Sequence, residues 1–168
     1  MNPILVNIIA FYLAWFACIW GAAHQFPLLG PIVVVAVLGL HFSFLSGYSL
    51  AQELRLLLIA GVLGFVLDSF QAFIGTFSFR KTGPEAWVSP VWIVALWLAF
   101  ATTLHTSLRW LSGRYGLAAI LGAIGGPLSY YSGAQLGALA LNPDNTFSFI
   151  VMAIAWGIAM PILVWLAK

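Results

Sequence analysis

Asp68 is the acid whose position is hardest to explain as mere solubility, because it stands well inside an apolar run. At helical spacing Gly61, Gly64, Asp68 and Gln71 fall on one face. Glycines on that face let a neighbouring helix approach, so Asp68 is expected to point into a bundle and away from lipid. An ionisable group at membrane depth costs about 2.5–3.5 kcal/mol on insertion scales, which makes it a candidate site residue. The competing account is a buried hydrogen bonder that only packs helices.

A second candidate lies in Gly122–Gly137, where Gly122, Gly126, Tyr130, Gly133 and Gly137 form a stripe and Gln135 follows. Pro127 removes a backbone donor, and Gly125 and Gly126 precede it, so a kink or helix break is expected there. Freed carbonyls at such a break could face a cavity, as in discontinuous transporter helices. Small-residue packing around a kink explains the same pattern.

Helical rise places Asp68, Gln71, Tyr130 and Gln135 in an outer layer and His41 and His105 in an inner one. About 12 Å of axial distance then separates Asp68 from His105, which argues against a simple acid–base dyad. Thr102, His105, Thr106 and Arg109 share a face of the same predicted helix, and Asn7 shares one with Phe11, Ala14 and Cys18. His41 and His105 could relay protons. With no intramembrane carboxylate at their depth they make a poor metal site, and none is expected. His24 reads as an interfacial donor.

Catalytic signatures are absent. There is no phosphate-cradling loop, no nucleophile elbow and no cofactor motif. Ser129 or Ser132 with His105 could form a nucleophile pair, but no spacing specifies it. No cofactor is expected, catalytic residues cannot be named, and whether the chain is an enzyme stays open.

The elements that must hold these residues follow from composition. The 168 residues are 63% hydrophobic and 6% charged, against roughly 45–50% and 25% in soluble domains. So few charges cannot wet a surface, and so many aromatics exclude disorder. A net charge of +2 without a basic cluster excludes nucleic acid as a partner. One cysteine, Cys18, permits no internal disulfide. Six apolar runs emerge: Ile4–Ala23, Leu28–Leu45, Leu54–Ile74, Val91–Leu111, Leu117–Ala138 and Phe147–Ala167. The expectation is an all-α membrane protein, residues 1–168 forming a single bundle of six transmembrane helices with the fifth kinked at Pro127. The N-terminus lacks the basic stretch of a signal peptide, so the first run is read as a retained helix. Arg55, Arg109, Arg114 and Lys168 would share one side and Arg80 and Lys81 the other, which puts both termini in the cytoplasm. A three-plus-three inverted repeat is hinted at by Leu29-Gly30-Pro31-Ile32 and Gly126-Pro127-Leu128.

The run Gly125-Gly126-Pro127-Leu128-Ser129-Tyr130, the segment Gly133-Ala134-Gln135-Leu136-Gly137, the loop end Ser89-Pro90-Val91-Trp92 and the stretch Leu96–Leu104 resemble a family across the whole chain. That family is a set of small bacterial inner-membrane proteins grouped as domain of unknown function 2878. The resemblance implies multi-pass residence in the bacterial inner membrane and brings no activity to carry over. It adds a little weight to lipid or fatty-acid modification. Two functions are therefore carried forward: transport of a small molecule, or proton-coupled transport, through a midplane polar site; and a membrane-embedded enzyme or accessory factor in lipid modification. Expected partners are membrane lipid, a small-molecule or lipid substrate, and a second copy or a membrane partner subunit.

Overall fold

The structure, a computed structural model, describes residues 2–45, 47–79 and 86–168, with Leu45 described by its backbone alone. Arg80 and Lys81, which enter the orientation count, lie outside the described residues. Six α-helices and two short strands are present among those described. They run α1 (Pro3–Ala23), α2 (Leu29–Leu40), α3 (Leu50–Phe73), β1 (Phe77–Phe79), α4 (Val91–Leu104), α5 (Tyr115–Gln135), β2 (Leu139–Leu141) and α6 (Asn145–Leu166).

Local chemistry sets these boundaries. Asn2 accepts a hydrogen bond from the Ile4 amide at 3.0 Å ahead of Pro3, which starts α1. α3 begins with a capping box: Ser49 Oγ accepts from Gln52 N at 3.3 Å, and Gln52 Oε1 accepts from Ser49 N at 3.0 Å. Its start therefore precedes the expected Leu54 and brings Glu53 inside the helix. The fourth run is shorter than expected. Thr102 and Thr103 turn their hydroxyls onto the carbonyls of Ala99 and Phe100, and Leu108 N bonds Thr103 O at 2.7 Å. α4 thus ends at Leu104, a 3₁₀ turn follows at Arg109–Leu111, and Thr102, Thr106 and Arg109 do not share one helix face. Beyond Leu40 the chain continues as a π-helical turn, His41–Leu45.

α4 is the centre of the bundle. α1, α2 and α3 pack against it; α3 also meets α6, and α6 pairs with α5. Most of its residues are buried, Trp92, Trp97 and Thr102 among them, which suits a helix that is apolar all round. The outer helices do the reverse and expose Tyr12, Phe16, Val35, Leu58, Phe70, Ile124 and Ile154. Three helices, α1, α3 and α6, are long and apolar enough to cross a membrane, while α2 with its π turn and α4 are shorter. Apolar faces turned outward on helices of that length make this a membrane-associated protein.

The internal repetition is of hairpins. α3 and α5 each end in a left-handed glycine, Gly75 (φ 78°) and Gly137 (φ 85°). In each case the amide three residues past the helix reaches back in the same way, Thr76 N to Gln71 O at 2.9 Å and Ala138 N to Gly133 O at 3.0 Å. A strand follows each glycine, and the strands pair antiparallel about Ser78↔Ala140. One interval in sequence separates Gly64 from Gly126, Asp68 from Tyr130, Gly75 from Gly137 and Ser78 from Ala140. α3–β1–α4 and α5–β2–α6 thus repeat one helix–strand–helix order and meet through the β1–β2 pair. Asn142 Nδ2 donates to Gly75 O at 2.7 Å and Ser148 Oγ to Thr76 O at 2.6 Å, which closes the strand end.

Candidate functional site

Asp68 lies in the last third of α3 and is fully buried. Tyr130 donates its hydroxyl proton to Oδ1 at 2.5 Å, Trp97 Nε1 donates to Oδ2 at 2.7 Å, and Gln71 Nε2 reaches Oδ1 at 3.3 Å. Three donors from three helices converge on one carboxyl group. Glycine makes this possible: a Cβ on Gly64 would stand 2.2 Å from Trp97 Cγ, so only a bare backbone lets that indole cross α3 and reach Asp68. The second unit repeats the device. A Cβ on Gly126 would stand 2.2 Å from Trp156 Cγ, and Trp97 and Trp156 stack with centroids 4.5 Å apart and planes 13° apart.

Beside this pair is a cavity of about 600 Å³ bounded by α1, α4, α5 and α6. Trp97, Phe100, Tyr130 and Trp156 form much of its wall, with Phe11 and Trp15 facing them from α1. Trp15 Nε1 donates to Ser129 Oγ at 2.9 Å, a bridge between α1 and α5. Asp68 does not line the cavity, but Tyr130 does. Tyr130 and Trp97, which both line it, are the side chains that connect Asp68 to the cavity.

A second cluster occupies the opposite end of the bundle from the strands. Glu53 Oε1 lies 3.2 Å from His41 Nε2, and Oε2 lies 2.9 Å from His105 Nδ1. All three side chains are buried. The π turn delivers His41, the capped start of α3 delivers Glu53, and the end of α4 delivers His105. Tyr48 stacks on His105 at 3.9 Å, and the Arg109 guanidinium sits 5.5 Å over the Tyr48 ring. Nearby, Asn7 Nδ2 donates to Thr102 Oγ1 at 3.2 Å and Ser107 Oγ donates to Asn7 Oδ1 at 2.6 Å. Among the described residues, no three His, Cys, Asp or Glu side chains are arranged to hold a metal ion.

A family model described as a protein of unknown function, DUF2878, matches residues 4–162. The chain belongs to that family. No curated protein and no solved structure matches it. In this DUF2878 chain the expected outer layer assembles as Asp68, Gln71 and Tyr130, whereas Gln135 is exposed at the end of α5 and takes no part. The expected inner layer, His41 and His105, is brought together by Glu53. That corrects the view that the two histidines lack a carboxylate at their depth. Glu53 was readable: it continues the stripe of Ala60, Gly64, Asp68 and Gln71 at helical spacing.

The expected helix break is also corrected. α5 stays helical through Gly125, Gly126 and Pro127, so no unwound backbone faces the cavity there. Gly122 and Gly126 instead receive α6 at Trp156 and Met160, and Gly125 remains open toward the cavity. The aromatic side chains recruited by Gly64 and Gly126 were not legible, since glycine periodicity does not name the residue that fills the gap.

Proposed function

We propose that this DUF2878 chain is a multi-pass bacterial inner-membrane protein, a bundle of six crossings with both termini cytoplasmic, that moves a small molecule through the Asp68–Tyr130 site in a proton-coupled manner. The observation that carries the reading is the cavity of about 600 Å³ whose wall includes Tyr130 and Trp97, both hydrogen-bonded to buried Asp68. Ligand sites have about this size, an apolar aromatic lining and a few fixed polar groups. Buried carboxyls inside membrane bundles commonly serve proton relays. Glu53 lies about 22 Å of helical rise from Asp68 on the same helix, so α3 carries an acid toward each face.

Purified protein in liposomes containing a trapped pH dye tests this. Wild type should speed internal acidification after an external acid jump, and Asp68→Asn should slow it by about tenfold or more. Wild-type flux equal to that of empty liposomes, or unchanged flux in folded Asp68→Asn, would sink the proposal.

A second reading, an enzyme or accessory factor acting on lipid, is favoured by one observation. Tyr130 lines the cavity and its hydroxyl is bonded to an acid, an arrangement that suits proton transfer to a bound lipid. Comparison of extracted lipids with and without the chain decides it: a lipid species that depends on Tyr130 supports an enzyme, and an unchanged lipid profile rejects it.

A further inference from the structure

The end of the bundle opposite the strands holds a titratable cluster that lies outside the Asp68–Tyr130 site. Glu53 stands between two imidazoles, with Oε1 3.2 Å from His41 Nε2 and Oε2 2.9 Å from His105 Nδ1. An ionised carboxylate can only accept, so each of those nitrogens carries a proton. That fixes both tautomers and leaves one bare nitrogen on each ring, Nδ1 of His41 and Nε2 of His105. Glu53 and two neutral imidazoles together carry one negative charge. One further proton cancels it. A second would leave a net positive charge among side chains that are all buried, where charge is costly. The cluster is therefore suited to take up one proton.

Two observations place that proton on His105. His41 is fully enclosed, and its Nδ1 has no partner among the described residues. A proton there would be a buried donor left unmade. His105 instead lies flat against Tyr48, with centroids 3.9 Å apart and planes 14° apart. A cationic ring over a phenol face is attracted by its π electrons. Tyr48 is half-buried, so His105 adjoins the side of the cluster nearest water. The other charged residues of this end, Arg55, Arg109, Arg114 and Lys168, are all exposed. Arg109 stands over the Tyr48 ring, Arg114 over Trp110 and Lys168 over Tyr115, and water and salt screen exposed charges. α1 brings only the uncharged Asn7, bonded to Thr102 and Ser107, and α2 contains no titratable residue.

We propose that Glu53, His41 and His105 form a one-proton binding site, with the proton held on His105 and exchanged with water at this end of the bundle. Uptake takes a proton from water and forms an N–H bond at His105 Nε2, turning imidazole into imidazolium; release returns it to water. The imidazolium pairs with the Glu53 carboxylate, and His41 stays neutral as the second donor to it. The site is about 22 Å of helical rise from Asp68 along α3, and binding of its proton does not require transport.

Full chain labelled with 15N-histidine, purified in detergent and followed by NMR between about pH 8 and pH 5, where histidine changes charge, tests this. Single His→Gln variants assign the three rings, and exposed His24 is the solvated reference. At the acid end of the range His105 should carry protons on both nitrogens while His41 carries one. Folded Glu53→Gln should lose the second proton of His105 at the same pH, because no carboxylate then balances it. Double protonation of His41, of both buried rings or of neither at the acid end would overturn the site, and so would a doubly protonated His105 in folded Glu53→Gln. The wild-type spectra decide the matter even where Glu53→Gln does not fold. A proton on His105 without liposome flux would overturn transport alone. Flux without a proton on His105 would overturn this site alone.

Discussion

Gly125 and Gly126 are neighbours in one helix, yet alanine should have opposite effects at them. At Gly126 the added Cβ would stand 2.2 Å from Trp156 Cγ and 2.4 Å from Cδ1. Carbon contacts settle at about 3.5–4.0 Å, so the indole must retreat by about 1.3 Å. It cannot do so freely, because Trp97 stacks on it at 4.5 Å and Phe100 abuts it edge-on at 5.5 Å. Overpacking of this kind costs about 1–3 kcal/mol. At Gly125 the same methyl meets nothing within 4 Å. Both variants gain the same helix propensity, about 1 kcal/mol at most, and that gain cancels between them. Gly126→Ala should therefore be less stable than Gly125→Ala by about 1–3 kcal/mol. Unfolding by SDS in mixed micelles measures both, and the double variant Gly126→Ala/Trp156→Leu should recover most of the loss, an interaction energy of about 1 kcal/mol or more. Equal stability of the two alanine variants, or no recovery in the double variant, would refute the packing argument.

The same assay checks three other outcomes. Asp68→Ala strands the Tyr130 hydroxyl and the Trp97 indole and should cost about 2–6 kcal/mol, while Tyr130→Phe removes one bond and should cost about 0.5–1.5 kcal/mol. Glu53→Ala leaves two buried histidines without their shared acceptor and should cost about 3–5 kcal/mol, with Glu53→Gln recovering part of it. Gly75→Ala and Gly137→Ala each force a left-handed residue to carry a side chain, for about 1–2 kcal/mol apiece; similar losses in the two would reflect their equivalent places.

Hydropathy located every helix, because a long apolar run is a signal that each segment carries by itself. The ends were less legible. Glu53 falls just outside the third apolar run as hydropathy bounds it, and the capping box of Ser49 and Gln52 extends α3 past it. The fourth run looked long enough to span, yet Thr102 and Thr103 bend their hydroxyls onto the preceding turn and the helix stops before His105. Pro127 suggested a break, but α5 runs on through it with Gly126 buried against Trp156. The Asp68 stripe pointed correctly into the bundle, and Tyr130 was placed at its level by helical rise alone. What rise could not supply was the pairing of Trp97 with Trp156, a contact between hairpins distant in sequence.

The equal spacing that relates those hairpins has a consequence for how such a site can arise at all. Two identical, separate hairpins meeting in the same way would set like against like: two acids repelling each other, or two phenols with no acceptor. One continuous chain is free of that constraint. Asp68 and Tyr130 hold matching places, and each supplies what the other lacks. Covalent linkage of the halves is thus what lets a repeated scaffold hold an unlike pair.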